Sequence, residues 1–468
     1  MLRFITLALA AMSVAAFTPS SSLGQATRTP VQTSVKHFSS FAQSVQQSSS
    51  ALSATTVEQT KLYDPKKKEI PKVLGGMKIG LRELVVITGA SSGLGLATAK
   101  QFMKQSGKYF LVMACRDVEK GKQGRLQTFS FSLWVDIIYY NTRMHGECTE
   151  FSQFFLNIFY TRTVAKENGF PDNAYVVMKL ELASLQSVRD FVANLKAFKS
   201  ARPLNHLICN AAVYRPTDPK PAYTDDGFEM SMGVNHLGHF LLVNLLIDDM
   251  ARAKNARCVI VGSITGNSNT VGGGLVYPLA DLGDLKGFEK GTGFEMADGK
   301  PFFGAKAYKD SKVCNMMTVS ELHRNYHEDT GITFSSMYPG CIADTPLFRE
   351  KRTWFRKIFP LFMKYVTGGY VGEDEAGERL FQTVDDPRCA KSGVYWSWNG
   401  GAKTVGRWSE DGKPRGAGGS GGEIFENEYS DLVRNEQTAR KMWDLSKKLV
   451  GLSDKEMYKN GALEKNDY

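Results

Sequence analysis

The chain has 468 residues, a net charge of +10, 42% hydrophobic and 23% charged residues. That length and apolar content fill a sizeable core, which excludes wholesale disorder, a collagen-like rod and a polytopic membrane protein. Seven cysteines without close pairs make neither a disulfide framework nor a zinc ribbon, so no metal site is expected, and dispersed Lys and Arg residues with no reading motif do not point to nucleic acid.

Residues 1–16, MLRFITLALAAMSVAA, carry one arginine, a short apolar run and then small residues, the layout of a secretory signal. Residues 17–57 are rich in Ser, Thr, Ala and Gln, and the first acidic residue of the chain is Glu58. That composition is typical of an organelle transit segment. The junction at Ala16-Phe17 resembles the two-part plastid presequences of algae with secondary plastids; an ordinary N-terminal tail is the alternative.

The apolar run LVVITG at 84–89 predicts a strand buried on both faces. It runs into Gly89-Ala-Ser91-Ser92-Gly93-Leu94-Gly95 and then a helical pattern, the strand–turn–helix setting of a dinucleotide site. Gly89 makes the tight turn, Gly93 admits a pyrophosphate, Gly95 allows close helix packing, and Ser91 and Ser92 add hydroxyl donors. The next run, YFLVMA at 109–114, predicts the second strand and ends in Cys115-Arg116-Asp117. An arginine where an NAD site has an acidic residue favours the 2′-phosphate of NADPH.

One crossover helix should follow, yet the third strand, AYVVMKL at 174–180 with Leu182 passing near the adenine, is far away. Residues 123–163 between them are aromatic-rich with no sustained period, and VEKGK and VAKENGFPDN on either side would join as one helix without them. This segment reads as a retained intron or gene-model error rather than a functional insertion.

Further along come Asn210 after the strand-like LNHLI, Asn235 in GVNHLGHF, Ser263 after the strand CVIVG, and Tyr308 with Lys312 at helical i, i+4 spacing. This set in this order resembles the short-chain dehydrogenase/reductase family. The expected fold is one doubly wound, Rossmann-like parallel α/β sheet over residues 80–452, with helical and loop insertions. By that resemblance Tyr308 is the proton donor, its pKa lowered by the Lys312 ammonium. Lys312 also holds the nicotinamide ribose, Ser263 orients the reacting group, and Asn235 sustains a proton relay. The spacings His236/His239 and His323/His327 read as packing or surface histidines rather than metal ligands, and GAGGSGG at 416–422 as a flexible surface loop.

ITGASSGLGLATAK, CNAAVYRPT, AYKDSKVCNMMT, SSMYPGCIADTPLFR, TGGYV, GVYWSW and KMWDLSKKLVGL narrow the resemblance to the light-dependent protochlorophyllide oxidoreductases. It covers residues 80–122 and 164–452. It implies light-driven, NADPH-dependent reduction of a ring D double bond in a plastid, with Tyr338 and Cys341 of the YPGC motif at the pigment. Cys341 either helps donate the proton or positions the pigment. The long stretch between Ser263 and Tyr308 is expected to cover the substrate. Residues 347–366, interleaving basic and aromatic side chains, either line an apolar pocket, form a core helix or sit on an anionic membrane. The family implies peripheral attachment to plastid (thylakoid) membranes and self-association with pigment; no span of twenty apolar residues suggests crossing one. Two other readings stay open: a dark short-chain reductase of retinoid-like or steroid-like ketones, and a non-enzymatic pigment-storing or membrane-structuring protein.

Overall fold

In the computed structural model, residues 78–116, 161–162, 164–274, 276–343, 347, 353–400 and 418–458 are described. The presequence, most of 123–163 and parts of 347–366 and 416–422 lie outside them.

The first strand, β1 (Glu83–Thr88), buries apolar side chains on both faces and hands over to helix α1 (Gly93–Lys104). Then follow β2 (Tyr109–Cys115), β3 (Tyr175–Lys179), α2 (Leu185–Lys199) and β4 (His206–Cys209). A π-helical turn, Gly233–Leu237, leads into α3 (Gly238–Ala251). The second half comprises β5 (Arg257–Val261), α4 (Gly304–Leu322), β6 (Thr333–Met337), α5 (Thr353–Phe362), α6 (Glu373–Asp385), β7 (Val394–Trp398), β8 (Ile424–Asn427) and α7 (Glu436–Leu449).

The strands form one sheet in the order β3-β2-β1-β4-β5-β6-β7-β8. The chain order reverses between β1 and β4, which opens a crevice at the carboxyl ends of the strands. Seven strands are parallel, as expected; β8 is antiparallel to β7, a departure from the wholly parallel sheet. As an edge strand β8 needs no apolar run on both faces, and the polar Glu426 and Asn427 in IFEN left no strand signal.

Successive side chains of each central strand feed opposite faces. Leu84, Val86, Phe110 and Val112 join a core with Phe191, Phe240, Val313 and Trp443 of α2, α3, α4 and α7. Val85, Ile87, Leu111 and Met113 pack with Phe102 of α1 and Leu380 of α6. Phe102 sits edge-on to Tyr109 and Phe381 at 4.9 and 4.8 Å, where truncation to alanine costs about 3–5 kcal/mol. The stretch Met230–Ala251 is long and apolar enough to cross a membrane, against the sequence expectation of no such span. Its apolar window is 89% buried in the protein, so its hydrophobicity serves the core. Strand β5 starts one residue earlier than its apolar pattern suggests. The buried Arg257 is satisfied there by the carbonyls of Thr383 (3.1 Å) and Asp386 (2.8 Å).

Candidate active site

At the carboxyl end of β1, Gly89 and Gly93 adopt φ of +69° and +53°, backbone that a side chain would strain. A Cβ on Gly95 would strike the Gly89 carbonyl and come within 2.7 Å of Asn210 Nδ2. Asn210 in turn donates to the Thr88 carbonyl (2.9 Å), which locks β4 to the turn. The extended Ser92 opens α1 without using its hydroxyl as a cap, and Leu94 accepts from Thr98 Oγ1 (2.8 Å). Ser92 is exposed, and Ser91 and Leu94 are half-buried beside it. The first turn of such a helix offers N–H groups and a positive dipole end to an anion. Arg116 is exposed at the end of β2, two residues beyond Ala114, the register partner of Thr88. The buried Leu182 lies just past β3, at the same edge of the sheet. A backbone cradle that excludes side chains, with a cation one strand away, fits the pyrophosphate and 2′-phosphate of NADPH.

On the other side of the crevice, Asn235 lies in the π-helical turn, fully buried. Its side chain accepts from Val213 N (2.8 Å) and donates to Val213 O (3.0 Å) and Ser311 Oγ (3.0 Å). Ser311 donates to the Tyr308 carbonyl (2.6 Å), which ties Asn235 to α4. Ser263 caps the short turn after β5, accepting from Thr265 N (3.2 Å), and hydrogen-bonds the Tyr308 hydroxyl. Thus Asn235, Ser263, Tyr308 and Lys312 converge where β4, β5 and α4 meet.

The electrostatics of this group differ from the expectation. Desolvation pushes the Tyr308 phenol up to about 12, with the Ser263 hydrogen bond opposing and Cys341 adding to the rise. Lys312, itself buried, falls to about 8 and donates to the Val261 carbonyl (2.8 Å), its Nζ 5.7 Å from the Tyr308 ring centroid. The predicted lowering of Tyr308 by Lys312 is therefore corrected: removal from water outweighs a cation engaged elsewhere. Tyr308 stays a neutral phenol at physiological pH, the form that can give a proton.

Facing Tyr308, the YPGC loop brings Cys341 to the opening, half-buried and bridged in register to Tyr370. Tyr338, expected against the pigment, is 8% exposed, and burial holds its phenol far above the usual range among Cys341, Tyr395, Arg379 and Tyr308. The loop is held from behind by Arg379, which is 4% exposed. Its guanidinium donates to Pro339 O (3.1 Å), Glu375 Oε1 (2.7 Å), Gly419 O (2.8 Å) and Gly421 O (2.9 Å), and lies 5.3 Å from the Trp398 ring centroid. The glycine run was expected to be a flexible surface loop. Of its described part, Ser420, Gly421 and Gly422 are exposed, whereas Gly418 and Gly419 are buried, and a Cβ on Gly419 would strike the Gly368 carbonyl.

The long segment before Tyr308 contributes to the core. Leu282, Leu285, Phe288 and Phe294 are buried in the core, leaving Tyr277 and Leu279 exposed. The segment is clamped to α4 by Asp310, which accepts from Asp281 N (2.9 Å) and pairs with Lys306 (2.6 Å). Among the described residues no group of three or more His, Cys, Asp or Glu is arranged to hold a metal.

The short chain dehydrogenase family matches residues 160–286. A chloroplastic protochlorophyllide reductase of Daucus carota is 47% identical over 384 residues, covering 81% of this chain and 80% of that protein. Protochlorophyllide reductase A, chloroplastic, of Arabidopsis thaliana is 48% identical over 375 residues, 79% of this chain and 77% of that one. The chain belongs to the protochlorophyllide reductases. A protochlorophyllide reductase of Avena sativa is 48% identical over 378 residues, 79% of this chain and all of that protein. Among solved structures, an NADPH-bound carbonyl reductase from chicken fatty liver matches with a TM-score of 0.42 and 17% identity, covering 69% of this chain and 94% of that chain.

Within this protochlorophyllide reductase fold, residues that motif reading did not single out complete the crevice. Tyr214 lies with its ring centroid 4.8 Å from that of Tyr308, tilted at 55°, and burial raises its phenol. Tyr395 stacks on Tyr429 at 5.6 Å behind Tyr338. The signal for Tyr214 was its place in CNAAVYRPT, just after Asn210. Nothing in the sequence marked Arg379. The histidine pairs also find places: His236 bonds Ser446 Oγ (2.9 Å), and the His323 and His327 rings lie 5.1 Å apart.

Proposed function

We propose that this chain reduces a ring D double bond of protochlorophyllide to give chlorophyllide, with NADPH, when the bound pigment absorbs light. The observation that carries the reading is the neutral Tyr308 phenol, hydrogen-bonded to Ser263 and facing Cys341, at the sheet edge that also carries the Gly89–Gly95 turn. When bound, NADPH supplies the hydride. Gly89, Ser91, Ser92, Gly93, Leu94 and Gly95 seat its phosphates, Arg116 takes the 2′-phosphate, and Leu182 and Asn210 frame the adenosine and ribose side. Lys312 leaves Val261 to hold the nicotinamide ribose, and Ser263 aligns the reacting group. Tyr308 gives the proton to the carbon beside the one that receives hydride, and Asn235, through Ser311, keeps α4 in place for it. Tyr214 and Cys341 contact the pigment plane; Tyr338 backs them.

Tyr214, Tyr308 and Cys341 are each only half-buried, and this supports a broad, flat substrate against them. A dark ketone reductase would share Tyr308 and Lys312 but need no YPGC loop braced by a buried arginine. Incubating the protein with NADPH in the dark and in the light, with protochlorophyllide or with a panel of retinoid and steroid ketones, separates the two. NADPH consumption only with pigment and light supports the first reading; dark turnover of a ketone supports the second.

A plastid address fits residues 1–57 and the relatives described as chloroplastic. Peripheral attachment to the thylakoid surface fits α5 and the turn after it, where Ile358, Leu361, Tyr365 and Val366 are exposed beside the exposed Lys357 and Lys364. Self-association with pigment bound belongs to the same reading. Residues 123–163 are proposed to be a retained intron or a gene-model error. Spliced messages that uniformly keep them would sink that idea.

A further inference from the structure

Two polar residues on opposite sides of the crevice are joined by one buried side chain. His239, in the first turn of α3, is 1% exposed. Its Nδ1 lies 3.0 Å from the Asn235 carbonyl and its Nε2 2.9 Å from Thr88 Oγ1. The carbonyl can only accept, so Nδ1 carries the hydrogen. Burial, opposed by the Asn235 contact, drops the ring to about 4, so it is neutral and its Nε2 is bare. That nitrogen must accept, and Thr88 Oγ1 donates its hydroxyl hydrogen to it. The Thr88 oxygen meanwhile accepts the N–H groups of Asn210 (2.9 Å) and Ala211 (3.0 Å). The competing acceptor for its hydrogen, Ile208 O, is farther at 3.4 Å. Each hydrogen in the bridge thereby has an acceptor, in one consistent direction.

We infer that His239 is a positioning residue whose two ring nitrogens separately set the phosphate turn, through Thr88, and the proton-relay turn, through Asn235. The inference rests on the reading of these two turns given above. Thr88 immediately precedes Gly89 and gathers the backbone of Asn210 and Ala211 beneath it, so the Nε2 arm fixes the floor of the cofactor cradle. The Nδ1 arm holds the carbonyl that the π-helical turn places beside α4, and Asn235 continues through Ser311 to Tyr308. The chain Thr88–His239–Asn235–Ser311–Tyr308 thus spans the crevice within the protein interior.

The two arms can be cut one at a time. Asparagine reproduces Nδ1, and the same helix already shows that geometry: Asn244 donates to the carbonyl four residues back, Phe240 O, at 2.8 Å. Glutamine reproduces Nε2 as an acceptor but not Nδ1. The experiment uses the full chain with NADPH and protochlorophyllide, and measures NADPH affinity in the dark and the proton-transfer rate after a flash in light and heavy water. His239→Asn should weaken NADPH about tenfold, as Thr88→Val should, with the proton step near the parent's rate. His239→Gln should keep NADPH affinity within about twofold and slow the proton step about tenfold, as Asn235→Ala should, with an enlarged solvent isotope effect. In the parent complex, the ¹⁵N resonances of His239 should report the neutral Nδ1–H tautomer. An Nε2–H tautomer, an imidazolium, or equal losses in both quantities for both variants would overturn the inference while Thr88→Val and Asn235→Ala respond as stated. If those two variants leave both quantities at the parent's values, the reading of the two turns fails and takes the inference with it.

Discussion

Replacing Arg379 by lysine should damage the pigment side of the site while sparing the cofactor side. The guanidinium is buried and serves four acceptors, the carbonyls of Pro339, Gly419 and Gly421 and the Glu375 carboxylate, with two of its nitrogens. A lysine keeps the charge and can follow Glu375, but its point-like ammonium cannot also span from Pro339 to the glycine loop. Two or more hydrogen bonds are lost at about 1 kcal/mol each, so a stability loss of about 2–3 kcal/mol is expected. Arg379→Met, which leaves the partly buried Glu375 without its cation, should cost about 3–5 kcal/mol. Pro339 stands between Tyr338 and Cys341 in sequence, so slack at its carbonyl loosens both. Since the NADPH cradle is built on β1, α1 and β4, it should keep its affinity. Denaturant titration gives the stability. Dark titrations with protochlorophyllide and with NADPH give the two affinities, the pigment's expected to weaken about tenfold, or about 1.4 kcal/mol, in Arg379→Lys. Equal weakening of both ligands, or a lysine variant as stable as the parent, would refute the bracing role.

Tyr308→Phe should lower turnover by about 10²–10⁴-fold with NADPH affinity kept, read from flash yield and fluorescence titration. Arg116→Ala should raise the KM for NADPH about ten- to hundredfold and leave that for NADH nearly unchanged, from loss of a charge-assisted bond to the 2′-phosphate. Lys312 has a folded pKa of about 8, below its unfolded value, so between those values the unfolded chain binds the extra proton and stability rises with pH. In cofactor-free protein, the stability of the parent relative to Lys312→Met should therefore grow by up to about 3 kcal/mol from about pH 7 to about pH 10, measured by denaturant midpoints. Ile358→Asp with Leu361→Asp should cut binding to anionic vesicles in a flotation assay without changing NADPH affinity.

The glycine turn was legible because its constraint is local: Gly89 and Gly93 need positive φ, and Gly95 needs room within one strand–helix unit. Asn235, Ser263, Tyr308 and Lys312 were legible as an ordered set of residue types that each follow a recognisable strand or share a helix face. Arg379 was not, because its partners lie 40 residues away on either side and an arginine in a helix ordinarily reads as solvated. The shift of Tyr308 was misjudged for a related reason. Spacing puts a cation nearby, but only the fold shows that Lys312 is committed to Val261 and that the phenol has left water. Composition hides the burial of Gly418 and Gly419, which the Gly368 carbonyl and the Arg379 guanidinium decide, while Ser420, Gly421 and Gly422 are exposed. His239 was weighed only as half of a metal-like pair, and its bridge became visible once β1 and α3 were adjacent.

The most direct test of the central claim is the absorption spectrum of the protein with NADPH and protochlorophyllide, recorded in the dark and again after one flash. The pigment band should stay unchanged in the dark and convert to the chlorophyllide band after the flash, a conversion lost in Tyr308→Phe although NADPH is bound. Conversion in the dark, or none after the flash with both ligands bound, would contradict the claim.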